Sequence, residues 1–442
     1  MIEIELFRSN PEAIKNDLRK RGKPEMVEWV DSVVVADREW RQLRAQIDSL
    51  RAQRNKLSEE IAAAKKVGNE AEAAAKRAEA ALIPAKLDEL EREAKELSDR
   101  IHYFRERIPN ILHPSVPLGK SEEDNAEVRR WGKPARPKFE LKPHGEILEE
   151  LGLADFKRAA KVAGAGFVYL KGPLALLDLA LQRYALDWLV CRGWSLIEPP
   201  LAMRRASYEG ATTLEHFETM MYKLEGEDLY LIATAEHPMV ASHAGEMIEA
   251  ARLPIKYCGF SACFRKEVGS HGVDTRGLFR MHQFNKVEQL ALCEPGQAWE
   301  IHEEMVKNAQ SLLKGLGIAH RVVLVCSAET GPTATKQYDI EAWFPRERAY
   351  REIGSISNCG SYQATRLGIR WIRGSSRGWV HTLNGTALAT SRTMRAIVEN
   401  FQRKDGSIKI PAVLRPYMAG LKVIAGPPAR APVRARARKK VK

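Results

Sequence analysis

Cysteine is scarce in this chain: six in 442 residues, at Cys191, Cys258, Cys263, Cys293, Cys326 and Cys359. None forms a CxxC pair, and no histidine cluster stands at zinc-ligand spacing. That spacing argues against a disulfide framework and a structural zinc site, and it fits reduced thiols packed in or near a core. No stretch of about 18 uninterrupted apolar residues occurs, which argues against a membrane-spanning helix. The N-terminus, MIEIELFRSN, carries Glu3 and Glu5 early and lacks the basic-then-apolar pattern of a secretory leader. The expected compartment is the cytoplasm. There is no GxGxxG fingerprint and no GxxxxGK[ST] loop, so a nucleotide site, if one exists, must be built another way.

What is present is ordinary in bulk: 44% hydrophobic and 29% charged residues, enough chain for two or three globular domains. The formal charge is +13, which points to a polyanionic partner. The excess is uneven. The tail from Ala425 to Lys442, AGPPARAPVRARARKKVK, holds seven cations and no acid. Its Pro and Ala spacing, without an apolar face, reads as disorder. Non-specific attraction for RNA phosphates and a solubilising appendage are both open readings of it.

From about Asp37 to Lys66 the apolar positions run Leu43, Ile47, Leu50, Leu57, Ile61 and Ala64, with Arg54 filling one slot. After a break at Val67-Gly68-Asn69 the seam resumes at Ile83, Leu87, Leu90, Ala94, Leu97, Ile101, Phe104 and Ile108. Steps of four and three make this a heptad seam. Two such helices joined by a Gly-Asn turn predict an antiparallel coiled-coil hairpin over about 37–108. Pro84 either kinks the second helix or marks a late start. A lone hairpin of this kind serves dimerisation or spacing as readily as it serves RNA. The first helix has eight Lys or Arg against five acids, the second eight against nine, so the first is the better RNA-facing strand. A projecting rod suits measurement of RNA shape.

Residues 113–140 contain Pro114, Pro117, Pro134 and Pro137 among polar residues and read as a linker. From about Leu141 short β-branched or aromatic runs alternate with helical ones. Strand-like runs fall near Leu229–Ala233, Ile255–Ser261, Gln283–Ala291 and Arg321–Val325, and helical ones at Ala175–Arg192 and Ala298–Leu316. This texture predicts a mixed domain of helices and strands.

Chemistry concentrates in three segments. GWSLIEPP, Gly193 to Pro200, is weak alone. CFRKEVGSHGVDTRGLFRMHQFNKVEQ, Cys263 to Gln289, is richer. Arg265 and Glu267 stand two apart, which on a strand gives them one face. A second strand-like run carries Phe284 and Glu288. The unit presents cations, a carboxylate and an aromatic, and an arginine fork suits carboxylate or phosphate. In HTLNGTALATSRTMRAIVENFQ, His381 to Gln402, a small-residue turn leads into a helix carrying Arg392, a favourable place for an anion. Together the segments predict an enzyme that handles a nucleoside triphosphate on an antiparallel sheet.

These segments resemble motifs 1, 2 and 3 of the class II aminoacyl-tRNA synthetases, and most closely those of the seryl-tRNA synthetases. The resemblance is carried by TAEHP (Thr234–Pro238), CFRKE, DTRGLFRMHQFNKVE, YREIGSISN (Tyr350–Asn358), HTLNGTALATSR and DGSIKIPAVLRPYMAG (Asp405–Gly420), together with the long arm. It covers nearly everything except the basic tail, and its wording is nearer the archaeal form of the family.

The resemblance implies an α+β fold: an N-terminal tRNA-binding domain (1–112) with the hairpin arm, the linker, and a class II catalytic domain (141–424) built on an antiparallel sheet with flanking helices. It implies ATP and L-serine as substrates, tRNA(Ser) and not DNA as nucleic-acid partner, Mg2+, and a homodimer with Pro200 at its interface. Whether tRNA(Sec) is also served stays open. The serine pocket would comprise Thr234, Ala235, Glu236, Arg265, Glu288, Asn384 and Thr386. Arg265 would meet the serine carboxylate and the ATP α-phosphate, and Glu288 the serine ammonium. Asn384 and Thr386 would sit near the hydroxyl. ATP would meet Arg265, Lys266, Glu267 at the adenine end, Phe284 under the ring, and the run Glu352, Ile353, Gly354 and Ser355. Glu352 and Ser355 would bind magnesium, and Arg392 would grip the γ-phosphate. Arg265, Glu288 and Arg392 would be the catalytic set.

This set makes chemical sense for a zwitterion, which needs one cation and one carboxylate. Attack by a carboxylate on a phosphate needs positioning and charge neutralisation more than a general base. The chain departs from the family pattern at Gly354, where Ser is frequent, at Ser361, where an acid is common, and at Thr386, where many relatives carry Ser. Three rival readings are a ligase loading a carrier protein, a synthetase for another amino acid such as threonine, and a non-catalytic RNA-binding relative. The arm argues against the first, the TAE block and third motif against the second. Retention of Arg265, Glu267, Glu352 and Arg392 argues against the third.

Deleting residues 37–108 is expected to spare adenylate formation and to ruin tRNA charging. Pyrophosphate exchange and aminoacylation on the truncated chain measure the two steps, and survival of both would make the arm merely structural.

Overall fold

A computed structural model describes residues 1–213, 220–267 and 277–425. The expectation of a disordered tail, and the Asp274–Arg276 part of the second motif, lie outside these residues, the tail from 426 onward. The chain forms two compact units, Met1–Ile111 and a second beginning at Leu112. No helix among the described residues is long and apolar enough to cross a membrane.

The first unit is helical. A 40-residue helix α1 (Val27–Lys66) is followed by α2 (Glu70–Ala81) and α3 (Ile83–Arg107). At about 1.5 Å per residue α1 is roughly 60 Å long. The turn is made by Gly68, whose positive φ an L side chain resists, and by Asn69. Asn69 caps α2, its side chain accepting from the Glu72 amide and donating to the Glu72 carboxylate. The seam residues Ile47, Leu57, Ile83, Leu87, Leu90 and Ala94 form one buried cluster, and Arg54 stays exposed. The second helix of the hairpin is broken at Leu82, and Pro84 sits in the first turn of α3, where its missing N–H costs nothing. Ion pairs Lys76–Glu60 and Arg51–Glu91 cross between the helices at 2.8 Å, both largely solvated and so of small worth.

The second unit is organised by a sheet of eight strands among the described residues. They are β1 (Ala126–Trp131), β2 (Ser195–Ile197), β3 (Ile255–Phe264), β4 (Gln283–Cys293), β5 (His320–Leu324), β6 (Lys336–Phe344), β7 (Ala349–Gly360) and β8 (His381–Ala389). Their order is β1-β5-β6-β7-β8-β4-β3-β2. Every pairing is antiparallel except the short β2 against β3. Helices α4 (Pro173–Val190), α5 (Ala298–Leu316) and α6 (Thr390–Phe401) supply the large core with the sheet.

Two expectations change. The Pro-rich stretch is not wholly a linker, because Ala126–Trp131 forms the edge strand β1; prolines flank it rather than interrupt it, and an edge strand needs only one hydrogen-bonded side. The small-residue run His381–Ala389 is not a turn but a central strand. Neighbours on both sides bury it from Thr382 on, with Leu383 and Leu388 in the core and a glycine where a neighbouring strand comes close. A Cβ on Gly385 would lie 2.7 Å from Ile356 of β7.

Strand alternation decides where the chemistry goes. On β4, Val287, Ala291 and Cys293 belong to the helix-covered core, and Gln289 donates to the Met305 carbonyl of α5. The intervening Lys286 and Glu288 therefore face the opposite side, which is the floor of a cleft.

Candidate active site

The cleft encloses about 340 Å³. It brings together Thr234, Glu236, Arg265, Glu267, Phe284, Glu288, Glu352, Ile353, Gly354, Ser355, Asn384, Thr386 and Arg392. These come from segments up to more than a hundred residues apart, and the ladder register explains the convergence. Thr386 of β8 pairs with Glu288 of β4, and Asn384 stands two residues from Thr386 on the same face. Two expected residues do not reach the cleft walls. Ala235 is fully buried in a separate apolar cluster, because the turn that aims Thr234 and Glu236 inward points it back at the sheet. Lys266 leans over the Tyr222 ring at 5.8 Å, and its amide donates to the Met220 carbonyl.

Arg265 and Glu267 lie just past the end of β3 rather than on it. The Arg265 amide still donates to the His282 carbonyl, and its guanidinium rests 5.3 Å from the Phe284 centroid. Glu267 has a positive φ of 48°, an unfavoured backbone state for a side-chain-bearing residue and one that gathers at functional sites. Arg280 reaches within 3.6 Å of its carboxylate.

Glu288 is buried and compensated. Lys286 forms a close ion pair with it, and the Thr234 hydroxyl donates to its Oε2 at 3.2 Å. Glu236 is set differently. Burial, followed by the negative charge of Glu288, pushes its carboxyl up to about 7. Next to it His237 is driven down to about 3 by burial and then by Lys286 and Arg265, so its imidazole is neutral.

At the other side Arg392 donates to the Glu352 carboxylate at 2.8 Å and to the Glu352 carbonyl at 3.0 Å. Burial works to raise the Glu352 carboxyl, but Arg392, then Arg265 and Lys286, hold it below the usual carboxylate range. Ser355 is three residues on, a spacing that would normally put it on the opposite face. A bulge changes this: Ile340 pairs with Gly354 and Glu341 with Glu352, leaving Ile353 as the extra residue. The Ser355 hydroxyl then lies 3.5 Å from Glu352 Oε1. Asp339 of β6, directly across from Ser355, is pushed up by burial and by Glu352. Among the described residues no group of three or more His, Cys, Asp or Glu is arranged to hold a metal. Magnesium generally takes one or two protein oxygens plus phosphates and water, so the Glu352–Ser355 pair fits that ion beside a triphosphate.

Reading the sequence missed Lys286, Phe279, Arg280, His237 and Ser391, all of which line the cleft. Lys286 was within reach, since strand period two puts it between Phe284 and Glu288 on one face. Phe279, whose ring lies 5.0 Å from Arg392, carries no such signal.

The departures at Gly354 and Thr386 are in contact: a Cβ on Gly354 would stand 2.9 Å from Cβ and 3.0 Å from Cγ2 of Thr386, so a side chain at 354 would crowd residue 386.

Comparison with known proteins follows the same division. Residues 1–112 match the model of the seryl-tRNA synthetase N-terminal domain, and residues 218–401 that of the tRNA synthetase class II core domain (G, H, P, S and T). The chain is 50% identical to a serine–tRNA ligase from Methanocella arvoryzae, over 96% of this chain and 100% of that one. It superposes on the crystal structure of seryl-tRNA synthetase from Pyrococcus horikoshii complexed with ATP with a TM-score of 0.90, at 45% identity over 97% and 100% of the two chains. A cytoplasmic serine–tRNA ligase from Naegleria fowleri in complex with AMP aligns with a TM-score of 0.85, at 34% identity over 96% and 98%.

Two predictions arise from this geometry. Gly354→Ser is expected to cost about 1–3 kcal/mol through overpacking, and adding Thr386→Ser to recover part of it. A double-mutant cycle on thermal stability and serine activation measures the coupling, and strictly additive effects would contradict the contact. The second concerns pH. The folded chain holds the Glu236 proton up to about 7, whereas an ordinary glutamate releases it near 4.5. Between those values the folded state binds more protons than the unfolded one, so this residue makes stability fall as pH rises through that window. Glu236→Gln should remove that slope, a difference on the order of 2 kcal/mol in urea unfolding between the two ends of the window.

Proposed function

This chain belongs to the seryl-tRNA synthetase family, and on that premise we propose how its cleft carries out the two steps of serine–tRNA ligation. Serine is activated with ATP to seryl-adenylate and pyrophosphate, and the seryl group then passes to the 3′-terminal ribose of tRNA(Ser). The observation that carries the assignment is the pairing of opposite charges facing one cleft. Arg265 and Glu288 suit the carboxylate and ammonium of an amino acid, with Arg392 and Glu352 beyond them for the phosphates.

In the first step a serine carboxylate oxygen bonds to the α-phosphorus, the bond to the β-phosphate oxygen breaks, and pyrophosphate leaves. Arg265, which lines the cleft, neutralises both the carboxylate and the α-phosphate and so lowers the repulsion between two anions. Glu288 holds the ammonium, and Thr234, Glu236, Asn384 and Thr386 form the serine pocket. A pocket whose polar groups are satisfied only by a hydroxyl rejects alanine, since those groups would be left unpaired. Phe284 stacks under adenine and Glu267 meets its edge. Glu352 and Ser355 would hold Mg2+, which when bound supplies charge neutralisation at the phosphates. Arg392 grips the γ-phosphate. In the second step the ribose hydroxyl attacks the seryl carbonyl and AMP leaves.

Residues 1–112 serve as the tRNA-binding domain, with the basic first helix of the arm toward RNA. Exposed Leu196 and Leu201 beside Pro200 support dimer formation through that segment.

Amino-acid-dependent ATP–pyrophosphate exchange across the twenty amino acids tests the activation step, with serine expected far above the rest. Arg265→Ala should lower that exchange by at least about a hundredfold while the fold persists. Near-normal activation by this variant would sink the role given to Arg265. Charging of tRNA(Ser) and tRNA(Sec) transcripts then decides the acceptors.

A further inference from the structure

Behind Glu236 runs a chain of side chains that the assignment above does not use. The Gln363 Nε2 donates to Glu236 Oε1 at 2.8 Å and to the Ala211 carbonyl at 3.0 Å. The Gln363 Oε1 accepts from the Thr382 hydroxyl at 2.6 Å. Both Gln363 and Thr382 are 0% exposed. A peptide carbonyl only accepts, so the contact with Ala211 requires the amide nitrogen on that side, and Gln363 has one orientation. Its support is rigid as well: Arg366, on the same short helix (Tyr362–Leu367), donates to the carbonyls of Glu209 and Thr212.

The consequence falls on Glu236. Its Oε1 is met by an N–H and must accept in either protonation state, so a proton held by this residue sits on Oε2. The neighbouring Glu288 already supplies a negative charge, and a second ionised carboxylate would have no further cation of the amino acid to meet. A neutral carboxyl, by contrast, has an O–H to offer.

We propose that Gln363 and Thr382 are positioning residues for substrate selection, the Thr382–Gln363–Glu236 chain holding Oε1 against the protein and reserving Oε2 for the hydroxyl of the bound amino acid. This rests on the assignment of Glu236 to the serine pocket. The high carboxyl value of Glu236 agrees with it. Neither positioning residue touches substrate; each acts through Glu236. Because ATP is bound by other groups, the chain bears on the amino acid alone.

The test is serine-dependent pyrophosphate exchange with the full-length chain and the variants Thr382→Val, Gln363→Met and Thr382→Ser. Thr382→Val and Gln363→Met keep the shape and remove the hydrogen bond. Each should raise the KM for serine about 5- to 100-fold, leave the KM for ATP within about twofold, and narrow the preference for serine over alanine. Thr382→Ser retains the hydroxyl and should stay near the unaltered protein. An unchanged serine KM in both Thr382→Val and Gln363→Met overturns the proposal, as does a parallel rise in the KM values for serine and ATP. If the unaltered protein shows no serine-dependent exchange, the reaction assignment itself falls and the relay with it, so the two failures are told apart.

Discussion

Glu288 is buried near the middle of an eight-stranded sheet, and a buried carboxylate must be paired or protonated. Much of the cleft follows from that requirement. Lys286 is two residues away on the same strand face and forms the ion pair, while Thr234 donates from the facing turn. Burial, and then the negative charge of the adjacent Glu288, raise the Glu236 carboxyl.

The antiparallel ladder makes this arrangement affordable. The register places Thr386 across from Glu288 and Ser355 across from Asp339, and backbone hydrogen bonds hold these partners in place. Side chains on the opposite face, such as Val287 and Ala291, are anchored in the core with α4, α5 and α6. A polar floor is thus carried by strands whose other side is apolar, and displacement of a floor residue would require moving packed core atoms. Where the strands approach closely, Gly354 and Gly385 stand in place of larger residues.

The arm is held by a different logic. Its cluster of Ile and Leu is narrow and continuous, and its ion pairs are solvated, so apolar burial along the seam supplies most of its cohesion. The proposed tRNA-binding role and the proposed chemistry therefore rest on separately built units, Met1–Ile111 and the unit from Leu112.

By itself the sequence determined the arm, several of the strands and helices, and the charged and aromatic residues Arg265, Glu267, Phe284, Glu288 and Arg392; the other expected cleft residues came from the family resemblance. Heptad spacing, strand period and the charged residues around Arg265, Glu288 and Arg392 are local patterns that survive without knowledge of the fold. The tertiary structure decided what depends on pairing between distant segments. It made His381–Ala389 a central strand, because neighbours on both sides bury it. It moved Ser355 beside Glu352 through a one-residue bulge that no periodicity announces. It turned Ala235 away from the cleft, added Phe279, and brought Gly354 against Thr386. Register, bulges and buried hydrogen-bond chains such as Thr382–Gln363–Glu236 are properties of two or more strands at once, and a single run of residues carries no record of its partner.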